Sequence, residues 1–132
     1  MTKNSILSAL IVSVVLIGCA GHTAKAWEKV RTRNQQALLE LEIGMSKANT
    51  LRILGTDEDK IRKGLTGSSR IPNPFKRENY QSDDGLVEVL FYYTDVQKWD
   101  GTITDDELTP IFFKNGKLIG WGRSFTDKLK IQ

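Results

Sequence analysis

Leu108-Thr109-Pro110-Ile111-Phe112-Phe113-Lys114-Asn115-Gly116-Lys117-Leu118-Ile119-Gly120-Trp121-Gly122-Arg123 reads as two strands around a two-residue turn. Asn-Gly supplies the positive φ values of a type I′ turn, whose twist matches that of paired antiparallel strands. Leu108 to Lys114 and Lys117 to Arg123 are therefore expected to pair tightly. Ile111, Phe113, Leu118 and Trp121 cannot share one face under strict alternation, which requires a bulge near Gly120 or two partly covered faces. Upstream, Leu86-Val87-Glu88-Val89-Leu90-Phe91-Tyr92-Tyr93 is rich in β-branched and aromatic residues and reads as a central strand.

One face of such a sheet needs a cover, and the N-terminal half provides it. From Ala26 to Leu41, Trp27, Val30, Ala37, Leu38 and Leu41 recur at helical spacings, with the helix formers Gln35, Gln36 and Glu40 between them. This amphipathic helix should end near Glu42, because Ile43-Gly44-Met45-Ser46 holds a Gly to break it and a Ser to cap the next. A second helix is predicted from Lys47 to about Leu54, with Ala48, Leu51 and Leu54 on one face and Gly55 at its C-terminal end. Two roles are open to Trp27, a membrane-interface anchor or a first-turn core residue. The expected fold is α+β, two N-terminal helices packed on a small antiparallel sheet of three to four strands, in one domain over residues 26–132.

The first residues have a separate logic. Lys3 is followed by an apolar run from Ile6 to Ile17, too short to span a bilayer and suited to the core of a secretory signal. Leu16-Ile17-Gly18-Cys19 resembles the lipobox of bacterial lipoproteins, with cleavage between Gly18 and Cys19 and acylation of the Cys. That resemblance implies a signal peptide over residues 1–18, an acylated Cys and short tether over 19–25, and a domain held at a membrane by its acyl chains. Ala20, in place of Asp after the Cys, points to the outer membrane of a Gram-negative bacterium, facing the periplasm. His22 lies in the tether and is assigned no role. Cys19 is the single Cys, so no disulfide can form within the chain.

Without residues 1–18 the chain has 18 basic and 16 acidic side chains, nearly balanced, and no Lys/Arg run exceeds two. Nucleic acid is thereby disfavoured as a partner. The chain has no Gly-x-Ser-x-Gly elbow, phosphate-cradling Gly loop, second His or spare Cys, so the reading is non-catalytic, with no cofactor and no small-molecule substrate. Asp100-Gly101-Thr102-Ile103-Thr104-Asp105-Asp106-Glu107 fits the second half of a calcium loop. Val96 and Lys98, however, stand where the first oxygen ligands belong, so the segment reads as a polar hairpin loop with an acidic tip and no metal site. Asp57-Glu58-Asp59 and Asp83-Asp84 read as solvated turn residues.

Leu41-Glu42-Ile43-Gly44-Met45-Ser46-Lys47-Ala48 with Leu51-Arg52-Ile53-Leu54-Gly55, followed later by Phe112-Phe113-Lys114-Asn115-Gly116-Lys117-Leu118-Ile119-Gly120-Trp121-Gly122, resembles the SmpA/OmlA family of small outer-membrane lipoproteins. That group includes the BamE subunit of the β-barrel assembly machinery. The resemblance implies structural roles for Gly44, Met45, Ser46, Leu54, Gly55, Asn115, Gly116, Gly120 and Trp121. It also implies an accessory or scaffolding role in envelope assembly. Domains of similar build also clamp onto enzymes as inhibitors, so a periplasmic protein-binding module is the alternative, with a lipoprotein unconnected to barrel assembly as a third reading. Thr56 to Asp84 is longer than the family pattern and holds Pro72-Asn73-Pro74. A strand is expected near Ile61 to Leu65 or Arg77 to Gln81, with Arg70, Ile71, Phe75, Lys76 and Arg77 exposed, as a partner surface or as a mobile loop whose two hydrophobes cover the core edge. Phe75, Arg77 and Trp99 are the candidate partner-binding residues, Trp99 being equally compatible with a place against the sheet.

Overall fold

Asn115 and Gly116 adopt φ of 51° and 71°, the left-handed pair that the I′ turn requires. In this computed structural model, which describes residues 18–56, 59–63 and 67–129, that turn joins the last two strands of a four-stranded antiparallel sheet. The elements in order are α1 (Gly18–Leu38), α2 (Lys47–Leu54), β1 (Asp59–Lys63), β2 (Gly67–Ile71), β3 (Lys76–Ser82), β4 (Gly85–Tyr93), β5 (Leu108–Lys114), β6 (Lys117–Trp121) and α3 (Arg123–Leu129), with a 3₁₀ turn at Asp105–Glu107. The main sheet runs β3-β4-β5-β6, and β1 pairs with β2 in a separate two-stranded sheet. The α+β class, with helices against a small antiparallel sheet, stands as expected.

A bulge sorts the hydrophobic residues of the last hairpin. Ile111 pairs with Trp121, Phe112 with Gly120 and Phe113 with Leu118, leaving Ile119 as the extra residue of β6. One inserted residue resets the alternation. Leu118 and Trp121 thus return to the face of Ile111 and Phe113, where Leu90, Tyr92, Ala37, Leu41 and Leu54 complete the main core. Ile119 joins Val87, Val89 and Phe112 on the opposite face, beneath Phe125 and Leu129 of α3. A Cβ added at Gly120 would collide with the Phe125 ring, so this helix seats closely only over a glycine. Pro110 is tolerated in a central strand because its carbonyl accepts from Gly122 N (2.9 Å). Its nitrogen therefore lies on the side where β6 has already ended.

Local chemistry sets the helix ends. Ser46 has extended backbone, and its hydroxyl accepts from Asn49 N at 3.2 Å, capping α2. Gly55 takes φ +80° and donates its N–H to Leu51 O, closing the last turn. Helix α1 departs from expectation at both ends. It begins at Gly18, so the expected tether from Gly21 to Lys25 is helical, and it ends at Leu38. Leu39, Glu40 and Leu41 then tighten into i→i−3 turns that deliver Leu41 to the core. The apolar run Ile6 to Ile17 lies outside the described residues.

The stretch from Thr56 to Asp84 is more structured than a loop, holding β1, β2 and β3, although Asp57, Glu58 and Leu65 lie outside the described residues. Ile71, expected at the surface, is fully buried with Val30, Tyr93 and Leu108, because β2 brings it against α1 and the end of β4. The junction is polar inside. Buried Asn34 of α1 donates through Nδ2 to Asn73 Oδ1 (2.9 Å) and Tyr93 O (2.8 Å), while Asn73 Nδ2 donates to Leu54 O (3.0 Å). Four segments are locked by two amides. The short helix α3 was not anticipated.

Candidate functional site

The two segments that carried the family resemblance meet in space. Gly44, at φ +88°, donates its N–H to Leu118 O, Met45 O accepts from Leu118 N, and Lys47 N donates to Gly116 O, each at 2.8 Å. Ser46 and Lys117 form an isolated antiparallel bridge. The link between the helices therefore covers the outer edge of β6. Leu54 is buried in the core, and Gly55 O accepts the Tyr92 hydroxyl at 3.1 Å. Gly44, Met45, Ser46, Leu54, Gly55, Asn115, Gly116, Gly120 and Trp121 each sit at a turn, a cap, a bulge or a packing contact of the fold. Cys19, with Gly18 before it, stands in the first turn of α1.

The three candidate partner residues have different fates. Phe75 is half-buried against the cluster of Val30, Ile71, Tyr93 and Leu108, so it holds the core and offers no free anchor. Arg77 is exposed on edge strand β3, where its Nε lies 2.9 Å from Glu88 Oε1, and Lys47 approaches the same carboxylate. Trp99 remains outside, 66% exposed, and does not tuck onto the sheet. The Arg31 guanidinium carbon lies 5.9 Å from its ring centroid.

Trp99 belongs to the connection between β4 and β5, organised from within by Glu107. That carboxylate was read as part of an acidic tip, yet it is buried. Its oxygens accept from Gln97 N (2.7 Å), Lys98 N (3.5 Å) and Thr104 N (3.0 Å), and its carbonyl accepts from Thr94 N (3.0 Å) and Asp95 N (3.1 Å). A buried carboxylate needs several acceptor contacts filled, and here backbone N–H groups fill them. Beneath the loop, Trp27 meets Tyr93 edge to face at 5.4 Å and 79°, so Trp27 is a core residue. Burial raises the Tyr93 pKa, and the Glu107 charge adds to the rise. A small cleft of about 40 Å³ lies among Trp27, Tyr93, Trp99, Ile103 and Glu107. Among the described residues no group of three or more His, Cys, Asp or Glu side chains is placed to hold a metal ion.

A second concavity, about 340 Å³, opens on the other face of the sheet between β3 and α3. Tyr80, Phe91 and Phe112 line it, and Lys76 crosses its mouth. The Lys76 ammonium lies 2.8 Å from Asp105 and 2.9 Å from Glu78, and 4.4 Å from the Phe91 centroid. Hydrogen bonds to Asp105 and then Glu78 raise its pKa above the ordinary lysine value. The Tyr80 hydroxyl also donates to Glu78. With one ammonium shared between two carboxylates, this groove presents an aromatic floor under a rim that keeps one negative charge in excess.

No helix among the described residues is long and apolar enough to cross a membrane. No curated protein and no solved structure matches the chain. One family model does match, over residues 11–128, and this chain accordingly belongs to DUF3192, a family of proteins of unknown function.

Proposed function

We propose that this chain is a non-catalytic lipoprotein of the outer membrane, acylated at Cys19 and facing the periplasm, that serves as an accessory or scaffolding subunit in the assembly of envelope proteins. The observation that carries the reading is Leu16-Ile17-Gly18-Cys19 at the end of a short apolar run. The position of Cys19 in α1 supports it, since the same helix continues to Val30, Asn34 and Ala37 in the interior. An acyl group there would be joined to the body by helix alone. Two or more acyl chains hold firmly where one holds marginally, at about 0.8 kcal/mol per buried CH₂. The likeness to the SmpA/OmlA group supports the assembly role by analogy.

The exposed Trp99 on a tied loop favours the second reading, a periplasmic module that binds and restrains another protein. One experiment separates these. With an affinity tag after Gln132, native chain and Cys19→Ala are expressed in the source bacterium, fractionated and crosslinked. The expected result is native chain in outer membranes with an acyl mass on Cys19, Cys19→Ala in the soluble periplasm, and barrel-assembly components recovered with the native form alone. Equal recovery of a soluble enzyme with both forms would establish the binding module instead, and an unacylated native chain would exclude the anchor.

A further inference from the structure

We propose that the connection from Thr94 to Glu107 is a preorganised protein-docking loop, with Trp99 as its anchor and Glu107 as the positioning residue. Its partner presents an apolar pocket with a basic group at the rim. This deepens the protein-binding part of the proposed function and does not depend on the lipid anchor.

An indole left largely in water is the side chain most able to drive association when a partner pocket removes it. What distinguishes Trp99 from a stray surface hydrophobe is the order around it. Glu107 ties Gln97 and Lys98 on one side of Trp99 and Thr104 on the other, and Asp100 Oδ1 accepts from Thr102 N at 2.9 Å. Asp95 accepts from Val96 N and from the Gln97 side chain. The ordering entropy that a loose loop would lose on binding has already been lost on folding. Arg31 braces the ring from α1.

Charge argues for protein over lipid. From Asp95 to Thr104 the loop carries Asp95 and Asp100 against Lys98, a balance that offers an anionic bilayer no attraction. Asp105 and Asp106 are already paired with Lys76 and Arg123. Asp100, beside Trp99, is the group a basic rim would meet.

The test places a photo-crosslinking amino acid at exposed Thr102 of the full chain, Cys19 intact, in cells of the source bacterium. A discrete protein adduct is expected, mapping to an apolar cleft bordered by Lys or Arg. Trp99→Ala should reduce it at least tenfold and Glu107→Ala several-fold, while Leu86→Ala on the distant hairpin leaves it unchanged. Trp99→Ala should also leave the urea midpoint in place, separating lost docking from lost folding. Glu107→Gln, which keeps one acceptor oxygen, should restore part of the adduct and slow the amide exchange that Glu107→Ala accelerates over residues 95–104. An adduct with lipid alone, with a second copy of this chain, one indifferent to Trp99→Ala, or none would overturn the proposal. Fractionation of the same cells judges the anchor independently, because the crosslink is read before they are broken.

Discussion

Gly120 shows how one absent side chain determines the place of a helix. The bulge at Ile119 turns Gly120 toward α3, and Phe125 occupies the space a Cβ would need, its ring centroid 5.1 Å from that of Phe112. Gly120→Ala should lower stability by about 1–3 kcal/mol through overpacking. Urea unfolding would read this, and combining it with Phe125→Leu should recover part of the loss if the ring is the obstacle. From sequence, Gly120 is marked by resemblance and by the need for a bulge, but its reason lies in the seven-residue helix Arg123–Leu129, whose Phe125 and Leu129 are the only signal. Glu107 reads from sequence as part of a solvated acidic tip, whereas it is buried and its oxygens accept from backbone N–H groups. Trp99 could be named but not placed, since nothing local to it distinguishes a buried indole from an exposed one.

At the level of elements, chemistry confined to a few neighbouring residues was the most legible. Ser46, Gly55 and the Asn115-Gly116 turn each set a boundary through contacts within four positions; α2 and β5 follow the expected bounds, whereas β6 stops at Trp121, short of the expected Arg123, because Gly122 at φ +83° turns the chain into α3. Ser46→Ala should cost about 1 kcal/mol by removing the cap on Asn49 N, seen as a lower urea midpoint. Ser46→Asp should largely retain the native value, because a carboxylate also caps. The start of α1 was missed because residues 18–25 carry little of the apolar spacing that identified Val30 to Leu41. β1 and β2 were obscure for a related reason. Each has a single large hydrophobe, Ile61 or Ile71, so period-two alternation hardly registers, and their pairing depends on register rather than on pattern.

For the molecule as a whole, burial of Tyr92 couples the two layers to pH. Its hydroxyl donates to Gly55 O, tying β4 to the end of α2, and burial pushes its pKa well above the ordinary 10.0, with Tyr93 shifted in the same sense. The folded chain therefore keeps protons that the unfolded chain releases. Stability from these groups is complete below about pH 10 and declines as pH rises through that value toward the higher folded ones. The urea midpoint should fall in alkaline buffer, and Tyr92→Phe should flatten the fall; an unchanged slope would assign the loss to other groups. The central strand β4 and the pairing of β5 with β6 are legible in composition and in the Asn-Gly turn, whereas the order of the sheet and its helix-facing side are fixed by register and by the bulge. The polar lock of Asn34 and Asn73 did not, because two isolated amides carry no sequence signature of each other.

Those locks also impose a timetable. Asn34 reaches Tyr93 across 59 positions, and Ser46 meets Lys117 farther still along the chain. At ribosomal rates of about 5–20 residues per second, the first helix waits roughly 3–12 seconds for its acceptor. The second waits longer for the edge it will cover. The first helix can be fastened once β4 is made, but the link before α2 has no edge to clasp until β6 follows, so a chain cut short before Gly116 would lack both that clasp and the strand it covers.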